Sequence, residues 1–256
     1  MGHIQTELKD DVLRITIDRP EKKNALTQAM YTALAVAVEQ AEANPDVRVL
    51  LLNGNGDSFT AGNDLEDFVA TGWKGHEVPP AVRFITAMAH AKKPAVAAVQ
   101  GSAVGVGVTI LLHCDLVYAA DNAKLMMPFV NLGIVPEAGS TAILPAQIGH
   151  QRAAELLMLG MPISAQRAYE LGMVNAVVTL DALLPTARNA AQMLAEKPAA
   201  ALQATKALMK KAGAAELERA LREEVEVITE RLSSPETREA LTAFLEKRKP
   251  NFRQFR

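Results

Sequence analysis

The chain has 256 residues, 49% of them apolar, with 27 Lys and Arg against 29 Asp and Glu for a formal net charge of −2. That length buries a sizeable core as one large or two modest domains, and the near-balance of charge excludes a general attraction to nucleic acid or an anionic membrane. Cys114 is the sole cysteine, so no internal disulfide can form, and a reducing, cytoplasmic setting fits. The opening residues Met1-Gly2-His3-Ile4-Gln5-Thr6-Glu7 lack the basic segment and apolar run of a secretory signal.

In chain order, residues 12–17 alternate Val, Arg, Thr with Leu, Ile, Ile and predict a strand. A polar turn over residues 18–24 leads to a helix over 25–43, closed by Asn44-Pro45. The unbroken apolar run 47–52 predicts a fully buried strand, bounded by Asn53-Gly54-Asn55-Gly56. A short helical piece is expected at 65–69, and a loop at 71–80, where Trp73 and His76 read as loop-packing residues. A helix at 81–91 and a short buried strand at 95–99 precede a glycine turn at 102–107. A buried helix is expected from 108 to 113 and a strand at 116–120.

No residue from Pro94 to Cys114 is charged, and such a run is long enough to span a bilayer. Its glycines, Gln100, Ser102 and His113 instead favour a buried strand, a turn and a buried helix. Further on, the pattern predicts helices near 141–148, where Pro145 suits only the first turns, and at 151–159, 165–171 and 182–195. Ser164 is placed to cap the third of these at its start and Gly172 to follow its end. A last strand is expected at 174–178. Beyond Glu196-Lys197-Pro198 only helices are predicted, at 199–211, 216–232 and 236–247, so an α/β core gives way to an all-helical tail.

Glu137 is the only charged side chain between Leu125 and Ile148, among Met126, Met127, Phe129, Leu132, Ile134 and Val135. A carboxylate in such company is desolvated, which raises its pKa toward the range a general base needs. Beside Pro136 and Gly139 it reads equally as a turn residue. Two glycine turns stand in similar balance. Phe59-Thr60-Ala61-Gly62-Asn63-Asp64-Leu65 and Gly101-Ser102-Ala103-Val104-Gly105-Val106-Gly107 each join a strand to a helix. Unpaired N–H groups at helix starts could point two donors at one carbonyl oxygen, or the glycines could simply permit tight packing.

Other chemistries lack their residues. Gly54-Asn55-Gly56 opens no helix as a dinucleotide fingerprint requires, and neither a phosphate-binding Gly-Lys-Ser/Thr loop nor a Gly-x-Ser-x-Gly elbow is present. His3, His76, His90, His113 and His150 lack ligand spacing, so no metal site is expected. Lys206, Lys210 and Lys211 read as a solvated helix face. The basic tail of Lys247, Arg248, Lys249, Arg253 and Arg256 suits one small polyphosphate ligand as well as a nucleic acid.

Four ordered segments together resemble the crotonase (enoyl-CoA hydratase/isomerase) superfamily. Asp18-Arg19-Pro20-Glu21-Lys22-Lys23-Asn24-Ala25-Leu26 is similar to its first CoA-contacting loop, and the two glycine turns, the second followed by Cys114-Asp115, to its oxyanion segments. Phe244-Leu245-Glu246-Lys247-Arg248-Lys249-Pro250-Asn251-Phe252 resembles its C-terminal signature. The resemblance implies an α/β fold, a crotonase-like spiral of repeated ββα units over residues 1–195, with a helical trimerisation region at 196–256. It implies an acyl-CoA substrate, with coenzyme A as part of the substrate and no separate cofactor. It further implies a homotrimer or dimer of trimers, with no nucleic-acid or membrane partner.

By position, the oxyanion donors would be the backbone N–H groups of Asn63 and Val106, and CoA contacts would come from Lys22, Lys23, Ala25, Ala61, Gly62, Asn63, Asp64, Leu65, Val106, Phe244 and Lys247. Phe244 and Lys247 would reach a CoA on a neighbouring subunit if the tail packs there. Val106 departs from the glycine of the hydratase branch. The two hydratase glutamates correspond to Thr109 and Phe129, neither of which exchanges protons usefully. Glu137 then stands alone, in a segment similar to that of the delta-3,delta-2-enoyl-CoA isomerases, as a single proton shuttle. The alternatives are hydratase, thioester hydrolase or other crotonase chemistry, and a non-catalytic RNA-binding homologue.

Overall fold

The computed structural model describes residues 2–67 and 78–255. Six strands form the main sheet in the order β1 (Ile4–Lys9), β2 (Val12–Ile17), β3 (Val49–Gly54), β4 (Ala95–Val99), β6 (Leu116–Ala120) and β9 (Ala176–Val178). Only the β1–β2 pair is antiparallel; the rest are parallel. A second, three-stranded sheet holds β5 (Ser102–Val104), β7 (Lys124–Met126) and β8 (Ile163–Ser164).

Both faces of the central strands are covered, which is why 49–52 and 95–99 read as unbroken apolar runs. On one face Leu50, Leu52, Ala95, Ala97 and Val99 meet Leu34 and Val38 of α1 (Gln28–Ala43) and Met88 of α2 (Pro80–Ala89). On the other, Val49, Leu51, Val96 and Ala98 meet Leu183, Ala187 and Ala191. These three lie on α7 (Leu180–Ala195). Along the chain, α3 (Val106–Thr109), α4 (Ser140–Ile148), α5 (His150–Leu159) and α6 (Ala165–Glu170) come before α7, and α8 (Ala199–Lys211), α9 (Ala214–Leu232) and α10 (Pro235–Leu245) follow it.

The uncharged stretch 94–114 is β4, β5, α3 and a 3-10 turn at Ile110–His113. No described helix is long and apolar enough to cross a membrane. Ser164 caps α6 by accepting from the Arg167 N–H, and Gly172 follows at φ +74°. The expected strands 95–99 and 116–120 and the helix 199–211 have those bounds.

Several elements differ from expectation. Residues 25–27 do not begin a helix: Thr27 is its cap, and Leu26 bridges Asn63 as extended chain. The turn expected at 102–107 contains β5, and β1, β7 and β8 were not anticipated, being exposed or only two or three residues long. Pro145 sits inside α4, the sixth of its nine residues, and not in its first turn. Lys206 and Lys210 are not a solvated face. Lys206 is buried and donates to Asp115 and the Lys93 carbonyl, and Lys210 donates to the Ala89 carbonyl, so both tie α8 to the core. Residues 68–69, and the loop at 71–77 with Trp73 and His76, lie outside the described residues; Pro80 opens α2.

What positions the site is a zipper of irregular chain. Asn24 is fully buried in the left-handed region at φ +57°. Its Nδ2 donates to the carbonyls of Asn55 and Ser58 at 2.8 and 2.7 Å, and its Oδ1 accepts the Arg19 N–H at 2.7 Å. Its own carbonyl accepts the Thr60 hydroxyl. Backbone bonds Ala61 N–H to Lys23, Leu26 N–H to Gly62 and Asp64 N–H to Leu26 then lay this loop along the first glycine turn. That turn is in turn bonded to β5 through Thr60 and Ser102. Asn24→Ala strands two buried carbonyls and forces alanine into left-handed backbone, so denaturant unfolding should show a loss of about 3 kcal/mol. Unchanged stability would refute the role of this residue as the zipper's core.

Candidate active site

The zipper brings the two glycine turns to the wall of one cavity of about 470 Å³. Lys22, Ala25, Ala61, Gly62, Asn63, Asp64, Leu65 and Val106 line it, with Met126 and Phe129 beneath and Leu232, Leu241 and Phe244 across from the C-terminal helices. Phe244 thus faces a cavity of its own chain. Lys23 and Lys247 do not line it. Lys23 is turned into left-handed backbone, where its carbonyl accepts the Ala61 N–H, and Lys247 lies exposed past the end of α10, also left-handed.

Asn63 and Val106 both face the cavity, and among the described residues no hydrogen bond engages either backbone N–H. Val106 is the first residue of α3, where an N–H has no partner within the helix. Close approach of the two segments demands glycine. Gly62 stands at φ +84°, and a Cβ there would meet the Val104 carbonyl oxygen at 2.7 Å; one on Gly107 would meet Thr60 Cγ2 at 2.6 Å. Two free donors on one wall are what a carbonyl oxygen gaining negative charge requires. Asp64, next to Asn63, is held by the Arg19 guanidinium at 2.6 Å. Burial pushes its carboxyl up, but the Asp67 N–H and Arg19 leave it below the usual range.

Glu137 is mostly buried and lines a different, apolar cavity of about 340 Å³ between α2 and α9, with Ala81, Ile85, Leu221, Val225 and Ile228. α3 links the linings of the two cavities. Val106 lines the first, and Thr109, one helical turn on, donates its hydroxyl to Glu137 Oε1 at 2.7 Å. Among the described residues Glu137 Oε2 accepts no hydrogen bond. Burial raises the Glu137 carboxyl to about 7; the Thr109 hydroxyl pulls it back and the charge of Glu224 pushes it further up.

Three residues of this constellation escaped the sequence reading. Thr109 was set aside as inert, yet it holds the carboxylate. Tyr31, fully buried on α1, donates its hydroxyl to the side-chain oxygen of Asn63. Its phenol is raised well above 10.0 by burial and by Glu137, and so stays protonated. Glu224 arrives from α9, far along the chain. Only Thr109 left a local signal, its spacing of three from Val106. Among the described residues no group of three or more His, Cys, Asp or Glu side chains converges as metal ligands.

The arrangement sets two unengaged N–H groups on one cavity wall and, held by the other end of α3, a carboxyl raised toward neutrality. Known proteins resemble the chain in sequence and fold. The sequence model of the family "Enoyl-CoA hydratase/isomerase" matches residues 7–255. The chain is 36% identical to a 1,2-epoxyphenylacetyl-CoA isomerase of Escherichia coli K12, covering 98% of each protein. It is 34% identical to a crotonyl-CoA hydratase of Syntrophomonas wolfei, covering 98% of this chain and 97% of the other. A crystal structure of an enoyl-CoA hydratase/isomerase from Pseudoalteromonas atlantica T6c superposes with a TM-score of 0.93 at 37% identity, covering 98% of this chain and all of that one. The chain belongs to the enoyl-CoA hydratase/isomerase family and has the crotonase fold.

Proposed function

We propose that the protein moves the double bond of a 3-enoyl-CoA thioester into conjugation, giving the 2-enoyl thioester, with Glu137 as the one proton shuttle. The thioester oxygen accepts the N–H groups of Asn63 and Val106, and the acyl chain passes α3 toward the cavity between α2 and α9. Glu137 removes a proton from C2, leaving a dienolate whose charge rests on the oxyanion donors. The same carboxyl returns that proton to C4 as the C2–C3 double bond forms. Coenzyme A enters as part of the substrate, with Lys22 at the mouth of the larger cavity, and no further cofactor takes part. We further assign α8–α10 to a trimer or dimer of trimers; Leu208 and Met209 on α8 expose the apolar surface such an assembly would cover.

The observation that carries this reading is the Thr109–Glu137 hydrogen bond. Where a hydratase of this family would present one of its two water-holding glutamates, this chain presents the Thr109 hydroxyl, which serves Glu137 instead. Phe129 fills the other hydratase position and lines the cavity. Hydration is the second reading, favoured by the relative named a crotonyl-CoA hydratase. The two separate in one cuvette: 3-hexenoyl-CoA should gain the conjugated-enoyl absorbance, whereas loss of that absorbance from crotonyl-CoA means hydration.

Glu137→Gln should keep acyl-CoA binding and lose at least about 10²-fold in isomerisation; full activity ends the assignment. In the wild type, kcat/KM should rise with pH through about 7, since the base must be ionised. Thr109→Val removes a donor that favours the carboxylate and should move that limb upward by about one pH unit. Stability follows the same shift. With a folded pKa of about 7 above the usual 4.5, the fold gains from proton uptake below 4.5 and loses that gain between 4.5 and 7. Glu137→Gln should therefore be more stable than wild type by about 3 kcal/mol at pH 8, and by much less at pH 5.

A further inference from the structure

Glu224 is a buried carboxylate, 5% exposed, on a helix of the C-terminal region, and it touches neither cavity. Its three hydrogen bonds all go to one place. Oε2 accepts the Gly139 N–H at 2.6 Å, and Oε1 accepts the N–H and hydroxyl of Thr141 at 3.0 and 2.6 Å. These donors begin α4, where a negative charge is favoured by the unpaired N–H groups and the helix dipole. They also follow Glu137 directly. Ala138 and Gly139 both adopt left-handed backbone, at φ +62° and +70°, a conformation strained for alanine. The turn is gripped on its other side by His113, whose Nε2 lies 2.8 Å from the Ala138 carbonyl. Burial lowers His113 to about 4, so it is neutral and donates that bond.

We propose that Glu224 is a positioning residue for the Glu137 site, clamping the Ala138-Gly139 turn that sets where the Glu137 carboxyl points. The inference rests on the isomerase reading for its effect on rate, but not for its effect on Glu137 itself. The clamp also has an electrostatic side. The Glu224 carboxylate opposes ionisation of Glu137, adding to burial. Its own carboxyl is raised by burial and drawn back by the Thr141 and Gly139 donors. The other ionisable groups around Glu137 are Tyr31 on α1, His113 after α3, His90 after α2, and Glu218, Arg222 and Glu226 on α9. His90 and Glu218 pair with each other at 2.6 Å. Tyr31 and His113 are neutral at working pH, and none of Glu224's hydrogen bonds goes to His90, Glu218, Arg222 or Glu226. The C-terminal helices thus supply a working part of the site, and not only a surface for assembly.

The test pairs kinetics with direct titration of Glu137, read as its infrared carboxyl band in difference spectra against Glu137→Gln. Glu224→Gln should lower kcat by at least about tenfold with KM little changed. It should also move the midpoint of Glu137 downward by about one pH unit, because the opposing charge is gone. Glu224→Asp keeps the charge and loses the reach, so it should lower kcat while leaving the midpoint near that of wild type. Should Glu224→Gln fail to fold, Thr141→Val, which removes one donor and leaves the charge, should lower kcat at least about threefold. An unchanged kcat and midpoint in Glu224→Gln overturns the proposal, as does an unchanged kcat in Thr141→Val where it must stand in. Isomerisation that ignores Glu137→Gln sinks the isomerase reading instead, while a shifted midpoint in Glu224→Gln still shows the two carboxyls coupled.

Discussion

Desolvation of one carboxylate is the constraint on which the rest of this site depends. Glu137 would titrate like any surface glutamate if water reached it freely, and would then be a poor base near neutrality. The chain withholds water with aliphatic side chains from α2 and α9 and with the turn that follows Glu137. It then limits the resulting penalty with a single hydroxyl, from Thr109. Burial wins, and the group settles at about 7. Removal of either influence would move the carboxyl away from about 7, downward with water let in and upward with the hydroxyl gone.

That balance depends on distant parts of the fold arriving together. Asn24 locks a loop near the N-terminus to the first glycine turn, which is bonded through Thr60 to the second. The second turn starts α3, whose first residue offers a free N–H and whose fourth holds Glu137. Tyr31 braces Asn63 from α1, and Glu224 braces the Glu137 turn from α9. Rigid, buried polar contacts of this kind cost more to break than they contribute singly, because each partner left behind is stranded away from water.

Sequence alone revealed the parts of this that are local. The apolar runs of β3 and β4 announce strands buried on both faces, and Glu137 announces itself as the only charge in a long apolar stretch. The glycine turns were legible as strand-to-helix junctions, and the crotonase resemblance followed from four of the segments. What stayed hidden is long-range. Nothing near Glu224 or Tyr31 in the chain points to the site, since their roles come from tertiary contacts, Glu224 with Gly139 85 positions away and Tyr31 with Asn63 32 positions away. Lys206 looked solvated because helical lysines usually are; its burial requires Asp115, 91 residues away. Lys23 and Lys247 carry the charge expected of CoA contacts; neither lines the cavity of its own chain.

The central claim is that one carboxyl both takes the proton from C2 and delivers it to C4. It is tested most directly with 3-hexenoyl-CoA carrying deuterium at C2, turned over once in light water, with the label located in the product by mass spectrometry or NMR. A single buried shuttle predicts that part of the deuterium reappears at C4. Delivery of only solvent hydrogen to C4, in a first turnover that has removed label from C2, would contradict it.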